Sequence, residues 1–137
     1  MNKAEFEQLA EIRIKEAEIL LNQGCYHGAY YLAGYALECT LKARIAKQVK
    51  EFDFPDFKLA KKVWTHNLDD LLQAAQLHQE LKLNERQLEF ALNWAIARLW
   101  SEESRYECNI EKEQAEDLFN AITNSESGIL PWLQSYL

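Results

Sequence analysis

The segment 23–44, QGCYHGAYYLAGYALECTLKAR, constrains the architecture more tightly than any other part of this chain. At 100° per residue, Cys25, Ala29, Leu32, Ala36, Cys39, Ala43 and Ala46 fall on one stripe with alternating steps of four and three. Tyr26, Tyr30, Ala33, Leu37 and Leu41 form a second stripe beside it. A helix that is apolar around most of its circumference has to be surrounded by other helices. The small residues of the first stripe let a neighbouring backbone approach closely. A narrow third stripe is polar: His27, Tyr31, Gly34, Glu38 and Lys42. We therefore expect the central helix of a bundle, carrying one polar seam.

The remaining sequence agrees with a helical fold. Four Gly and two Pro are too few for a sandwich or barrel rich in tight turns. With 137 residues and 48% hydrophobic content, the chain reads as one domain, 1–137, large enough for its own core. A first helix is expected over 3–22, with Phe6, Leu9, Ala10, Ile14, Ala17, Leu20 and Leu21 on one face. Gly24 suits a left-handed terminator, so the first two helices form a hairpin. The second helix runs to about residue 49, and 51–64 reads as an ordered loop pinned by aromatics. Thr65 is the expected N-cap of a third helix reaching about residue 79, with Asp69 and Asp70 in its early turns. Asn84 with Gln87 resembles a capping box for a fourth helix, whose buried face would be Leu88, Ala91, Leu92, Ala95 and Leu99. A last helix starts near Ile110 and carries Ala115, Leu118, Phe119 and Ile122; the tail ILPWLQSYL reads as one or two docked turns. The expected fold class is all-α, an up-and-down bundle of four to five helices.

Charge and cysteine content narrow the function. Twenty-two acids against fifteen bases give a net charge of −7, which disfavours RNA and other nucleic acids as non-specific partners. Lys58, Lys61 and Lys62 beside Trp64 form either a local basic patch or a solvated loop. Cys25 and Cys39 lie fourteen positions apart on one helix, too far to bridge, and Cys108 makes the count odd. Buried free thiols in a reducing cytoplasm are expected rather than a disulfide framework. No His/Cys spacing suggests a metal, and no cofactor motif is present. The N-terminal MNKAEFEQLAE is acidic and amphipathic rather than signal-like, and no run is long enough to span a membrane.

The residues that could carry chemistry are few. Arg13 and Arg98 fall inside apolar faces of the first and fourth helices. Either they snorkel at the core edge, or they pair with a buried acid, for which Glu38 is the natural candidate. Glu38 and Lys42 stand four apart in the favourable order, a surface pair unless the seam is buried. His27, His66 and His78 lie near no recognisable nucleophile motif, and His66 adjoins the start of the third helix. Arg105 and Tyr106 follow the fourth helix; they either pack and pair structurally or line a phosphate or partner site.

Three motifs in order, GCYHGAYYLAGYALECTLKA, THNLDDLL and WSEESRY, resemble a HEPN domain across nearly the whole chain. The first is degenerate alone; the ordered set is more specific. The resemblance implies a helical bundle that is usually a homodimer. Many HEPN members are metal-independent endoribonucleases with an Arg followed, after four to six residues, by a His. Others lack this pair and act as companions of small nucleotidyltransferases in toxin–antitoxin or defence pairs, or bind nucleotides. Here none of Arg13, Arg44, Arg86, Arg98 and Arg105 has a His four to seven positions later, so no catalytic residue carries over. The expectation is a non-catalytic dimerisation and binding module, with a pocket around His66, Trp100, Arg105 and Tyr106 and with Glu38, Lys42 and Arg98 as further binding residues. The alternative is an endoribonuclease using a displaced histidine, His66 or His27. Four Trp, six Tyr and six Phe exceed the needs of a small core, and the tail with Leu130, Trp132, Leu133, Tyr136 and Leu137 is the expected apolar patch for a dimer.

Overall fold

The computed structural model describes residues 1–52 and 64–137, with the side chains of 50–52 left aside. The expected loop over 51–64 and the lysines 58, 61 and 62 fall largely outside the described residues. Among those described, the chain is all-α, with seven α-helices and one 3-10 turn. They are α1 (Lys3–Asn22), α2 (Tyr26–Phe52), α3 (Leu68–Ala74), α4 (His78–Asn84), α5 (Leu88–Ala97), the 3-10 turn Glu102–Tyr106, α6 (Lys112–Thr123) and α7 (Ile129–Gln134).

α1 starts at a capping box that joins Asn2 and Glu5 reciprocally, at 2.9 and 2.8 Å. Gly24 at φ +77 turns the chain, and α2 returns along α1 in the most extensive helix–helix contact among the described residues. α2 is the core helix: Ala29, Ala33, Ala36, Leu37, Cys39, Leu41, Ala43 and Ile45 are all 2% exposed or less. The all-round apolar pattern demanded this burial. α6 packs on α2 and α5, and α7 closes the bundle against α2, α5 and α6.

Several boundaries differ from the sequence expectation. The third helix is split into α3 and α4 at Gln76, which takes φ +58. Asn67 rather than Thr65 caps α3, its side chain accepting from Asp70 N at 3.0 Å. Thr65 Oγ1 instead accepts from Asn67 N, holding a turn that leaves His66 outside the helix. Asn84 ends α4 instead of capping the next helix, and Gln87 occupies the N-cap of α5 without a side-chain bond.

The buried face of α5 is also corrected. Phe90, Trp94 and Ala97 face the core, while Leu88, Leu92 and Leu99 are 72%, 55% and 78% exposed. Both stripes are helical in period; the rings win because burying them removes more apolar area from water. The tail is not an outlying patch either. Trp132 sets its ring edge against Phe90 at 5.2 Å and Tyr136 at 5.4 Å, and Leu133 is 2% exposed.

Candidate functional site

The polar seam of α2 is buried at Gly34 and Glu38, half-buried at Tyr31 and Lys42 and exposed at His27, and charged side chains converge on Glu38. Glu38 is 2% exposed. Its Oε2 accepts from Lys42 Nζ, one turn on, at 3.2 Å. Its Oε1 lies 2.8 Å from His66 Nδ1, delivered by the turn that precedes α3. On the other side of the ring, His66 Nε2 is 3.0 Å from Glu102 Oε2. Glu102 comes from the 3-10 turn, which starts where Ser101 Oγ accepts from Glu103 N at 3.2 Å. Both ring nitrogens of His66 are thus within hydrogen-bond distance of a carboxylate. Lys42 supplies the fixed positive charge beside Glu38.

The arginines expected to meet Glu38 go elsewhere. Arg13 forms an ion pair with Glu16, three residues on, and sits over the Tyr35 ring at 5.9 Å. Arg98 lies at the C-cap of α5, not within a buried face, and pairs with Asp69 at 3.1 Å with both side chains about half exposed. A guanidinium at the bundle edge keeps its hydration, which a buried pair would give up.

Beside the ion cluster stands an aromatic layer. Trp100 is 3% exposed and lies so close to Gly34 that a Cβ there would come within 2.2 Å of its indole ring. Tyr31 packs on Trp100 at 6.2 Å and on Tyr35 at 6.0 Å between centroids. Arg105 extends over the exposed ring of Tyr106 at 4.8 Å. The hydroxyls of Tyr31 and Tyr106 hold its guanidinium pKa above the ordinary value. The indole N–H of Trp100 and the hydroxyl of Ser104 are buried with no partner among the described residues. Burial raises the pKa of the Tyr35 phenol, and Cys39 and Glu38 add to the shift.

The structure thus brings Glu38, Lys42 and His66 together and sets Trp100, Arg105 and Tyr106 in the adjoining layer. Arg98 is engaged with Asp69 apart from that hydrogen-bonded cluster. Sequence reasoning missed Glu102, Tyr31 and Tyr35 as members. Tyr31 was visible on the seam stripe, but Glu102 belongs to a paired-acid run that had no spacing signal. His27 is structural: its Nε2 accepts from Ile110 N at 3.3 Å. Among the described residues no group of three His, Cys, Asp or Glu could hold a metal ion. No helix there is long and apolar enough to cross a membrane. Chemically, the site offers the exposed Arg105 guanidinium over Tyr106 and the half-buried Arg13, paired with Glu16, over Tyr35, backed by the hydrogen-bonded Glu38–Lys42–His66–Glu102 cluster. No family model, curated protein or solved structure matches this chain.

Proposed function

We propose that this chain is a non-catalytic, HEPN-like dimerisation and binding module, an up-and-down bundle whose seam face takes a nucleotide. Arg105 with Tyr106, and Arg13 with Tyr35, pair a fixed cation with an aromatic plane, the combination that phosphate and base recognition use. The observation that carries the non-catalytic reading is His66. Both of its nitrogens face carboxylates, so neither is free to take a proton from a substrate. This weighs against an endoribonuclease built on His66, and the hydrogen bond from Ile110 N weighs against His27.

The exposed leucines of α5 support the dimer, in place of the tail. The protein partner this reading points to is a small nucleotidyltransferase, as the family resemblance implies. Calorimetric titration with ATP, GTP and their monophosphates tests the binding role: saturable binding is expected, weakened at least about tenfold in Arg105→Ala, about 1.4 kcal/mol. No heat with any nucleotide would refute the ligand class. Cleavage of a structured RNA by the pure protein, abolished in His66→Ala, would replace the reading by the nuclease.

A further inference from the structure

A second, unrelated feature lies on the other elements that flank α2. α1 and α7 border a cavity of about 440 Å³, a volume within the range of ligand and side-chain pockets. Its floor is apolar, made of Ala10 and Ile14 from α1 and Leu130 and Leu137 from the tail. Thr40 also lines it, but its hydroxyl donates to Ala36 O at 2.9 Å and so offers the cavity no free donor. The wall is mostly of one sign: Glu7, Glu11 and Glu18, against Lys15. None of these four forms an ion pair among the described residues. An apolar floor under unpaired carboxylates is complementary to an apolar body with positive charges on its flank.

We propose that this groove is the docking site for a basic amphipathic helix of a protein partner. Glu7, Glu11 and Glu18 stand at i, i+4 and i+11 on α1, a row roughly 16 Å long at 1.5 Å per residue. A helix lying along α1 meets that row with Lys or Arg at j, j+4 and j+11 if parallel, or at j, j+7 and j+11 if antiparallel. Its apolar row then fills the floor, the helix-in-groove mode of recognition. A second copy is not the occupant, because no three Lys or Arg of this chain have either spacing. The length of the row argues for a helix over a compact small cation.

The test uses the full chain and fluorescence anisotropy of a labelled Leu/Lys peptide about 18 residues long, roughly 27 Å as a helix, with lysines at j, j+7 and j+11. Glu11→Lys with Glu18→Lys should weaken binding at least about tenfold, while Glu113→Lys with Glu126→Lys, an equal change of charge elsewhere, changes it less than about twofold. A peptide of the same composition with shuffled lysines should bind at least about fivefold more weakly. All four glutamates are exposed, so each variant should keep its helical circular dichroism. Equal losses in the two double variants would reduce the effect to bulk charge and overturn the proposal. So would equal binding of the shuffled peptide, or displacement of the peptide by equimolar spermidine. Nucleotide binding at the seam is read separately and does not bear on these outcomes.

Discussion

Replacing Glu38 by Gln keeps the shape of a side chain that is 2% exposed and removes its charge. In the native seam each carboxylate oxygen has its own donor, Lys42 at 3.2 Å and His66 at 2.8 Å. Gln retains one oxygen, so its amide NH2 must face one of those donors. Breaking a buried pair costs about 3–5 kcal/mol, and a hydrogen bond to a charged group is worth about 1.5–3 kcal/mol. The partners differ in their access to water: the Lys42 side chain is 14% exposed and His66 is 42%. Rehydration of His66 offsets part of the penalty, so the lower half of the range applies. We expect a loss of about 2–3 kcal/mol, seen as a fall of roughly 1 M in the urea midpoint with the slope unchanged. A double-mutant cycle of Glu38→Gln with Lys42→Met should show coupling of about 1 kcal/mol or more. A loss below about 0.5 kcal/mol is the behaviour of an exposed pair and would refute the buried seam.

The exposed Arg98–Asp69 pair supplies the contrast: Asp69→Asn should cost less than about 1 kcal/mol in the same urea titration. Gly34→Ala places a methyl within 2.2 Å of the Trp100 indole, so the ring or the backbone must move. A loss of about 1–3 kcal/mol with altered near-UV dichroism is expected, and an unchanged midpoint would contradict the close approach. Ellman's reagent should titrate two thiols rapidly, Cys25 and Cys108, and the buried Cys39 only on unfolding. Burial, with Glu38 adding, pushes the Cys39 thiol from its ordinary 9.0 up to about 12. Between those values the unfolded chain releases a proton that the native state keeps, so stability is full below about pH 9 and falls as pH rises towards 12. Cys39→Ala should flatten that alkaline decline in urea midpoints measured from pH 8 to 11; the phenols of buried Tyr30 and half-buried Tyr35 shift in the same direction and leave a residual slope.

The hairpin of α1 and α2 was legible because local signals agree there. Apolar periodicity, small residues and a terminating Gly24 all point to one geometry, and no tertiary competitor opposes them. α5 was misread because it is apolar on two faces. Period alone cannot choose between the Leu88–Leu92–Leu99 stripe and the Phe90–Trp94–Ala97 stripe; the choice depends on which side chains the facing helices can surround. The break at Gln76 was hidden for a similar reason. A non-glycine residue at positive φ costs about 1–2 kcal/mol and has no local signature. Packing sustains it here: Gln48, on α2, donates to Ala75 O at 2.9 Å and to Gln76 at 3.3 Å.

The seam shows the same boundary at the level of chemistry. Lys42 was predictable as the partner of Glu38 because both ride one helix at a spacing that helical geometry dictates. His66 lies 28 residues from Glu38 and Glu102 lies 36 from His66, and only the folded chain juxtaposes them. Arg13 and Arg98 were candidate partners because their positions fall inside apolar faces, where a guanidinium would need a buried acid. Arg13 and Arg98 each find an acid nearer the surface, where the pair gives up less hydration. That leaves the seam to a lysine that shares the acid's helix and an imidazole delivered by the turn before α3. With both ring nitrogens engaged, the cluster stabilises the position of the 3-10 turn through Glu102. The guanidinium and ring of Arg105 and Tyr106 sit on that same turn. Loosening His66 would therefore move the surface that the proposed ligand meets, so His66→Ala should weaken nucleotide binding without touching the nucleotide. If His66→Ala leaves that affinity unchanged while Arg105→Ala removes it, the turn is held by Trp100 packing alone and the ion cluster serves stability only.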